Sequence, residues 1–246
     1  MRKLMLDDIL SSNLAGRGVK VALIDSGINP YHPHVNGIAG AVRIGIDKSK
    51  CIYCSDTDLF DRIGHGTACA GIICKIAGEV KLYSIKVFDE SLSTYTSVLI
   101  EAIKWSVENK VSIINMSLGT HNKRYLSGLR DICRRAHNEG IIIVAAGKQG
   151  KEAGYPAAFS ETIATTSDGN CREGEFFYDE TASIKFLASA KPRPLPNIFD
   201  TFNFHGDSFS APYYSGLIAL LKEKYPFYGA DKIRTLISGG IRYDGD

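Results

Sequence analysis

Four short runs rich in Val, Ile and Leu, at residues 19–24, 80–87, 113–116 and 141–145, are separated by stretches whose apolar residues recur at helical spacing. Near-continuous apolar strands suit a sheet buried on both faces, and a helix between successive strands suits parallel crossovers. The alternation predicts an α/β fold in three layers, a mostly parallel central sheet with helices on both faces. Crossover helices are expected over 97–108, with Val98, Ala102, Ile103, Trp105 and Val107, and over 126–138, just before Gly140. A third helix is expected over 208–225, its apolar side formed by Leu217, Ile218, Leu220 and Leu221, with Pro226 just past its end. Residues 47–62 and 168–204 read as irregular, the second carrying Pro192, Pro194 and Pro196, which break helix and central strand alike.

The 246 residues are 44% hydrophobic and 23% charged, proportions that fit a single domain over 1–246 better than two small ones. Twenty-nine Lys and Arg against 27 Asp and Glu leave a net charge of +2, too small for a nucleic-acid or anionic-membrane footprint. No apolar stretch approaches the roughly 18 to 20 residues that span a bilayer, and Asp7 and Asp8 fall where a signal peptide is apolar. A cytoplasmic, monomeric protein with no nucleic-acid or membrane partner is expected. The six cysteines are too few for a secreted disulfide framework, so reduced thiols are expected. Cys51 and Cys54 form one C-x-x-C, readable as two loop cysteines or as half of a zinc or redox site whose other ligands show no matching pattern.

Three short motifs carry chemistry. The first apolar run ends in Asp25-Ser26-Gly27, placing a carboxylate at the carboxyl end of a parallel strand, where open α/β sheets build their sites. His65 lies in Gly64-His65-Gly66-Thr67 before a small and apolar run, and two flanking glycines leave its imidazole open to neighbours. Ser208 stands at the start of the third long helix, where a nucleophile and a developing oxyanion meet a positive helix end. Alone, each also reads as a turn, a cap or an N-cap. Together they supply the three parts that a serine nucleophile needs: hydroxyl, imidazole base and carboxylate. The order Asp, His, Ser departs from the His, Asp, Ser of the β-barrel enzymes and the Ser, acid, His of the α/β-hydrolases.

These blocks, with Ile114-Asn115-Met116-Ser117-Leu118-Gly119 and with Pro212 and Gly216 after Ser208, resemble those of the subtilisin-like serine peptidases. They fall in family order over most of the chain. The resemblance implies the subtilisin-like form of the three-layer fold and a serine endopeptidase acting on peptide or protein through Asp25, His65 and Ser208. It also makes Ser117, Leu118 and Gly119 one edge of the substrate groove and Ser93, Thr94 and Tyr95 the other. Ala146 and Gly147 would belong to the oxyanion loop, Gln149 to the pocket rim and Gly154 to the pocket floor. A glycine at 154 implies a roomy pocket and a large apolar or aromatic residue before the scissile bond. An ordinary imidazole as base implies activity rising through about pH 6 to 7.

The chain departs from the family in several places. Lys148 occupies the position of an oxyanion asparagine, and Asp207 that of a threonine. Lys148 has three readings: an ammonium for the oxyanion oriented by Asp207, a change that depresses activity, or a solvent-directed side chain. Cys69, one turn beyond His65, is read either as an inert buried thiol or as a point of inhibition by mercurials and oxidants. Calcium stabilises many members, yet Asp47, Asp56, Asp58 and Asp61 form no regular calcium loop, so no cofactor and no metal ligand is assigned. Finally, the pro-domain and carboxy-terminal extension of secreted members do not precede or follow these blocks. The expected role is a compact intracellular peptidase that matures a specific precursor peptide by leader removal, with general turnover as the other enzymatic reading. A pseudo-protease that binds peptides in the same groove is the alternative from another class.

Overall fold

In the computed structural model, residues 1–149, 153–193 and 205–239 are described. The first half contains β1 (Arg2–Lys3), α1 (Asp7–Leu10), β2 (Lys20–Asp25), β3 (Gly40–Ile46), β4 (Ile52–Ser55), α2 (His65–Ile76), β5 (Lys81–Lys86) and α3 (Thr96–Glu108). It continues through β6 (Ile113–Met116), α4 (Leu126–Asn138), β7 (Ile142–Ala146), β8 (Thr162–Ser167), β9 (Phe177–Tyr178), β10 (Phe186–Ala188), α5 (Ser210–Lys224) and α6 (Ala230–Gly239).

One sheet runs in the order β1-β9-β10-β8-β7-β6-β2-β5-β3-β4. Every pair from β10 to β3 is parallel, and antiparallel pairing is confined to the margins, β9 with β10 and β1 at one side and β4 with β3 at the other. The pleat sorts alternate residues into two cores. Val21, Leu23, Ile113, Ile142 and Val144 pack with α2, α5 and α6, while Ala22, Ile24, Ile114, Met116 and Ile143 pack with α3 and α4. The chain leaves β2 for β3 and β4, returns through α2 to β5 on one side of β2, and crosses through α3 to β6 on the other. This reversal places the carboxyl end of β2, and so Asp25, where parallel sheets open a crevice.

The predicted strands and crossover helices are present to within a residue or two. Residues 47–62, expected to be irregular, contain β4, an edge strand of alternating exposed and half-buried residues that gives no apolar run. Residues 168–204 contain β9 and β10; Pro194 and Pro196 lie outside the described residues. Cys54 lies in β4 opposite Ile44, Cys51 just before the strand, and both are exposed free thiols. Among the described residues, no helix is long and apolar enough to cross a membrane.

The expected one-sided apolar face of the third helix is corrected. α5 begins at Ser210, after a 3-10 turn over Asp207–Phe209, and is buried continuously from Ser210 to Lys222. It runs through the middle of its layer, so small and polar positions are enclosed with the apolar ones. Gly216 makes this possible: a Cβ there would stand 2.8 Å from Cβ of Ile76 in α2. Gly216→Ala is therefore expected to cost about 1–3 kcal/mol of stability through overpacking, read as a lowered midpoint in urea unfolding.

Candidate active site

Asp25 ends β2 with no exposed surface. Its Oδ1 accepts hydrogen bonds from the Ser26 backbone N–H at 2.8 Å and the Ser26 hydroxyl at 3.2 Å, and lies 2.8 Å from His65 Nδ1. A carboxylate withdrawn from water needs such donors to remain charged. With Nδ1–H donating to Asp25, Nε2 is left as the acceptor, and the Ser208 hydroxyl lies 3.0 Å from it.

The glycines around His65 are explained by close approach. Gly64 precedes the helix at φ +90°, in the left-handed region that favours glycine. A Cβ on Gly66 would collide with the Gly27 carbonyl oxygen and stand 3.2 Å from Asp25 Cβ. Only a bare backbone lets the first turn of α2 settle against the end of β2.

A second buried carboxylate, Asp61, holds this turn. Its Oδ1 accepts from the N–H groups of Ile63 (3.0 Å) and Gly64 (2.7 Å) and from the Ser26 hydroxyl (2.9 Å). Its Oδ2 accepts from the Thr67 N–H (2.8 Å) and hydroxyl (2.6 Å). The Ser26 hydroxyl in turn accepts from the Gly66 N–H at 2.9 Å. Ser26, Asp61 and Thr67 thus frame the Asp25–His65 pair, although the sequence showed Asp61 only as one acidic residue of a loop. The signal was an Asp followed three residues later by a Gly, an Asx-turn pattern that orders a loop but does not say what the loop supports.

Ser208 lies in the 3-10 turn before α5. α5 has no side-chain cap, and the Ser208 hydroxyl meets His65 instead. The turn is fastened to the carboxyl end of β8: Asp207 Oδ1 accepts from the Thr166 hydroxyl (3.1 Å), the Ser167 N–H (3.1 Å) and the Ser167 hydroxyl (2.7 Å). The Ser210 hydroxyl donates to the Asp207 carbonyl at 2.7 Å and lies 2.8 Å from the Thr165 hydroxyl. Phe209 packs against the His65 ring with centroids 5.1 Å apart.

A cavity of about 200 Å³ opens beside Ser208. Of the expected substrate residues, Ser117, Leu118, Gly119, Ala146, Gly147 and Gly154 line it, together with Lys148 and Asp207. His121 and Ala153, which sequence reasoning missed, line it as well. Gln149 is corrected: its Oε1 accepts from the Ser183 hydroxyl (3.3 Å) and the Ile184 N–H (3.2 Å), which draws it off the rim. Ser93, Thr94 and Tyr95 border a separate cavity of about 520 Å³ near Arg43, Lys86 and Asp89. Lys148 is exposed and outside ion-pair distance of Asp207, whose carboxylate serves β8; the expected pairing of the two is absent.

Cys69 is buried, with its Sγ 3.9 Å from His65 Nδ1 and 3.4 Å from the Ser117 hydroxyl. Burial raises its thiol, which makes it a poor nucleophile. Asp25, His65 and Cys69 are close enough to share a metal ion, but the hydrogen bonds already described account for their approach. The acidic loop is likewise engaged internally: Asp58 pairs with Arg43 (2.7 Å), Arg62 (2.9 Å) and Lys86 (3.5 Å).

An Asp–His–Ser line at the mouth of a parallel sheet is the working arrangement of a serine peptidase. Residues 16–240 match the sequence pattern of the subtilase family, and the chain belongs to that family, whose subtilisins are serine endopeptidases. It is 31% identical over 233 residues to the minor extracellular protease Epr of Bacillus subtilis (strain 168), covering 87% of this chain and 34% of that protein. To a thermostable alkaline protease of Halalkalibacterium halodurans it is 32% identical, covering 94% of this chain and 64% of the relative. Subtilisin DY of Bacillus licheniformis is 28% identical, with 98% and 89% covered. The chain thus spans about a third of the first relative's length, about two thirds of the second's and most of the third's. The crystal structure of a cold adapted subtilisin-like serine proteinase shares the fold, with a TM-score of 0.72 at 23% identity over 93% of this chain and 84% of that one.

Burial alone would lower the His65 pKa, but the adjoining Asp25 carboxylate outweighs it and holds the imidazole above its ordinary value of 6.5. Below this raised value Nε2 carries a proton and cannot accept one from Ser208; above it the base is free. The expected rise at pH 6 to 7 therefore moves towards alkaline pH. The pH profile of kcat/KM should climb with an apparent pKa above 6.5, and a plateau already reached at pH 6.5 would contradict this pairing.

Proposed function

We propose that this protein hydrolyses peptide bonds as a serine endopeptidase with Ser208 as nucleophile, His65 as base and Asp25 as its orienting carboxylate. The observation that carries this reading is the continuous Asp25–His65–Ser208 line, at 2.8 and 3.0 Å. Ser208 Oγ attacks the carbonyl carbon as its proton passes to Nε2, and the imidazolium is stabilised by Asp25. Collapse of the tetrahedral intermediate expels the amine with that proton. Water, deprotonated by the same nitrogen, then releases the acyl group and restores the serine. An extended substrate would lie between Ser117–Gly119 and Ser93–Tyr95, adding main-chain hydrogen bonds along both edges.

We further propose that it works in the cytosol on a specific precursor peptide, removing a leader, as a monomer that needs no cofactor. Supporting the compartment, all six cysteines are free thiols and two are exposed, chemistry suited to reducing surroundings. The pseudo-protease reading draws on one observation: Lys148 stands exposed where the family resemblance calls for an asparagine donor, and no Asp207 contact orients it.

A fluorophosphonate probe separates the two. Labelling of the wild type that vanishes in Ser208→Ala is expected; peptide binding without labelling would favour the pseudo-protease. In the peptidase reading we propose that the Lys148 ammonium donates to the oxyanion in place of that asparagine, so Lys148→Met is expected to lower kcat by about 10- to 100-fold, the worth of one hydrogen bond to a charged group. An unchanged kcat would remove the ammonium from the mechanism.

A further inference from the structure

We infer that Asp207 is a positioning residue: its carboxylate clips the turn carrying Ser208 to the carboxyl end of β8, and so sets where the nucleophile meets the substrate carbonyl. This rests on the peptidase reading above and adds a residue to it. Asp207 stands where the family resemblance calls for a threonine, so the clip is this chain's own.

Ser208 does not hold its own turn. Its hydroxyl lies 3.0 Å from His65 Nε2, and α5 begins at Ser210 with no side-chain cap. The three residues Asp207–Phe209 form a 3-10 turn, whose internal hydrogen bonds are poorer than those of an α-helix. A misplacement of about 1 Å at a reacting group costs about 100-fold in rate, so this turn has to be fixed from outside.

Asp207 supplies that fixation with one oxygen. Oδ1 accepts from the Ser167 hydroxyl at 2.7 Å, and from the Ser167 N–H and the Thr166 hydroxyl at 3.1 Å each. The shortest contact has the length of a hydroxyl bonded to an ionised acceptor, about 2.5–2.7 Å. Three donors on one oxygen suit a carboxylate better than a hydroxyl, which has two lone pairs and a proton of its own to place. Thr166 has no exposed surface, and among the described residues Asp207 is the partner of its hydroxyl. Removing the carboxylate strands that buried hydroxyl, and the turn shifts as it finds another acceptor.

The same strand end carries the other side of the site. Ala146 in β7 pairs with Thr165 in β8, and the Gly147 N–H donates to the Thr165 carbonyl at 2.8 Å. Ala146 and Gly147 line the cavity at Ser208. Residues 165–167 thus anchor a wall of that cavity and, through Asp207, the nucleophile. The Ser210 hydroxyl, which donates to the Asp207 carbonyl and meets the Thr165 hydroxyl, extends the join into α5.

The test measures fluorophosphonate labelling and peptide hydrolysis for Asp207→Ala, Asp207→Asn and Ser167→Ala. The final extent of labelling counts folded sites, while its rate reports the alignment of Ser208 with His65. Asp207→Ala should label to the wild-type extent but about 10- to 100-fold more slowly, with kcat falling by a similar factor and KM changing by less than about threefold. Asp207→Asn keeps an acceptor oxygen without the charge and should lie between Ala and wild type. Ser167→Ala should slow labelling and kcat by about three- to tenfold, and adding it to Asp207→Ala should cost little more, because both act through one contact. Wild-type labelling rates in Asp207→Ala and Ser167→Ala overturn the inference, as does a loss confined to the extent of labelling, which marks a side chain needed only for folding. A kcat that rises in Asp207→Asn also overturns it, since the carboxylate would then oppose the oxyanion. In each of these cases labelling and cleavage by the wild type leave the peptidase reading intact. No labelling and no cleavage by the wild type overturns both.

Discussion

Asp25 keeps a charge in a place where water does not reach, and the surrounding structure is arranged around that cost. Desolvating a carboxylate is expensive unless donors replace the lost water. Here they come from the adjoining Ser26 and from an imidazole forty residues away, all to Oδ1, while Oδ2 is buried without a partner among the described residues. Delivering that imidazole requires the first turn of α2 to touch the strand end, which requires Gly66, a left-handed Gly64 and a loop whose free N–H groups are gathered by Asp61. Ser26 links the two carboxylates: its hydroxyl donates towards them and accepts from Gly66. The local fold of residues 59–67 is thus the means by which one buried charge obtains its partner.

Ser208 is held by an independent set of contacts. Asp207 and Ser210 tie the turn containing Ser208 to the hydroxyls at the end of β8, while α5 is enclosed on all sides beyond it. His65 and Ser208 therefore come from different elements: one helix set on β2, the other on β8. Contact between α2 and α5 at Ile76 and Gly216 brings the two assemblies into register.

Much of this was visible in the chain because the central strands are apolar on both faces, which gave β2, β5, β6 and β7 their uninterrupted runs. β8 was hidden for a physical reason. Its threonines are buried, yet each hydroxyl has a partner: Thr162 donates to the Pro156 and Phe159 carbonyls, Thr165 meets Ser210, and Thr166 donates to Asp207. Such satisfaction is tertiary, so a run of threonines reads locally as polar. β4 escaped notice because it is an edge strand without a core face. In the site, Asp25, His65 and Ser208 could be found because a triad demands those residue types beside strand and helix ends. Asp61 and His121 could not, since one acts through backbone donors that any sequence carries and the other is positioned by the pairing of Thr120 with Tyr155.

The long separation along the chain between His65 and Ser208 has a temporal side. His65 and Ser208 are 143 positions apart, and the helix that follows Ser208 is interior to its layer. During synthesis the amino-terminal part emerges and can begin to organise first. The carboxylate and imidazole are then available early, but the hydroxyl, 143 positions beyond the imidazole, arrives later. A chain made only as far as α2 thus holds the Asp25–His65 pair without the serine it faces. The Asp25–His65–Ser208 line is complete only when the core is closed by the helix that Ser208 precedes.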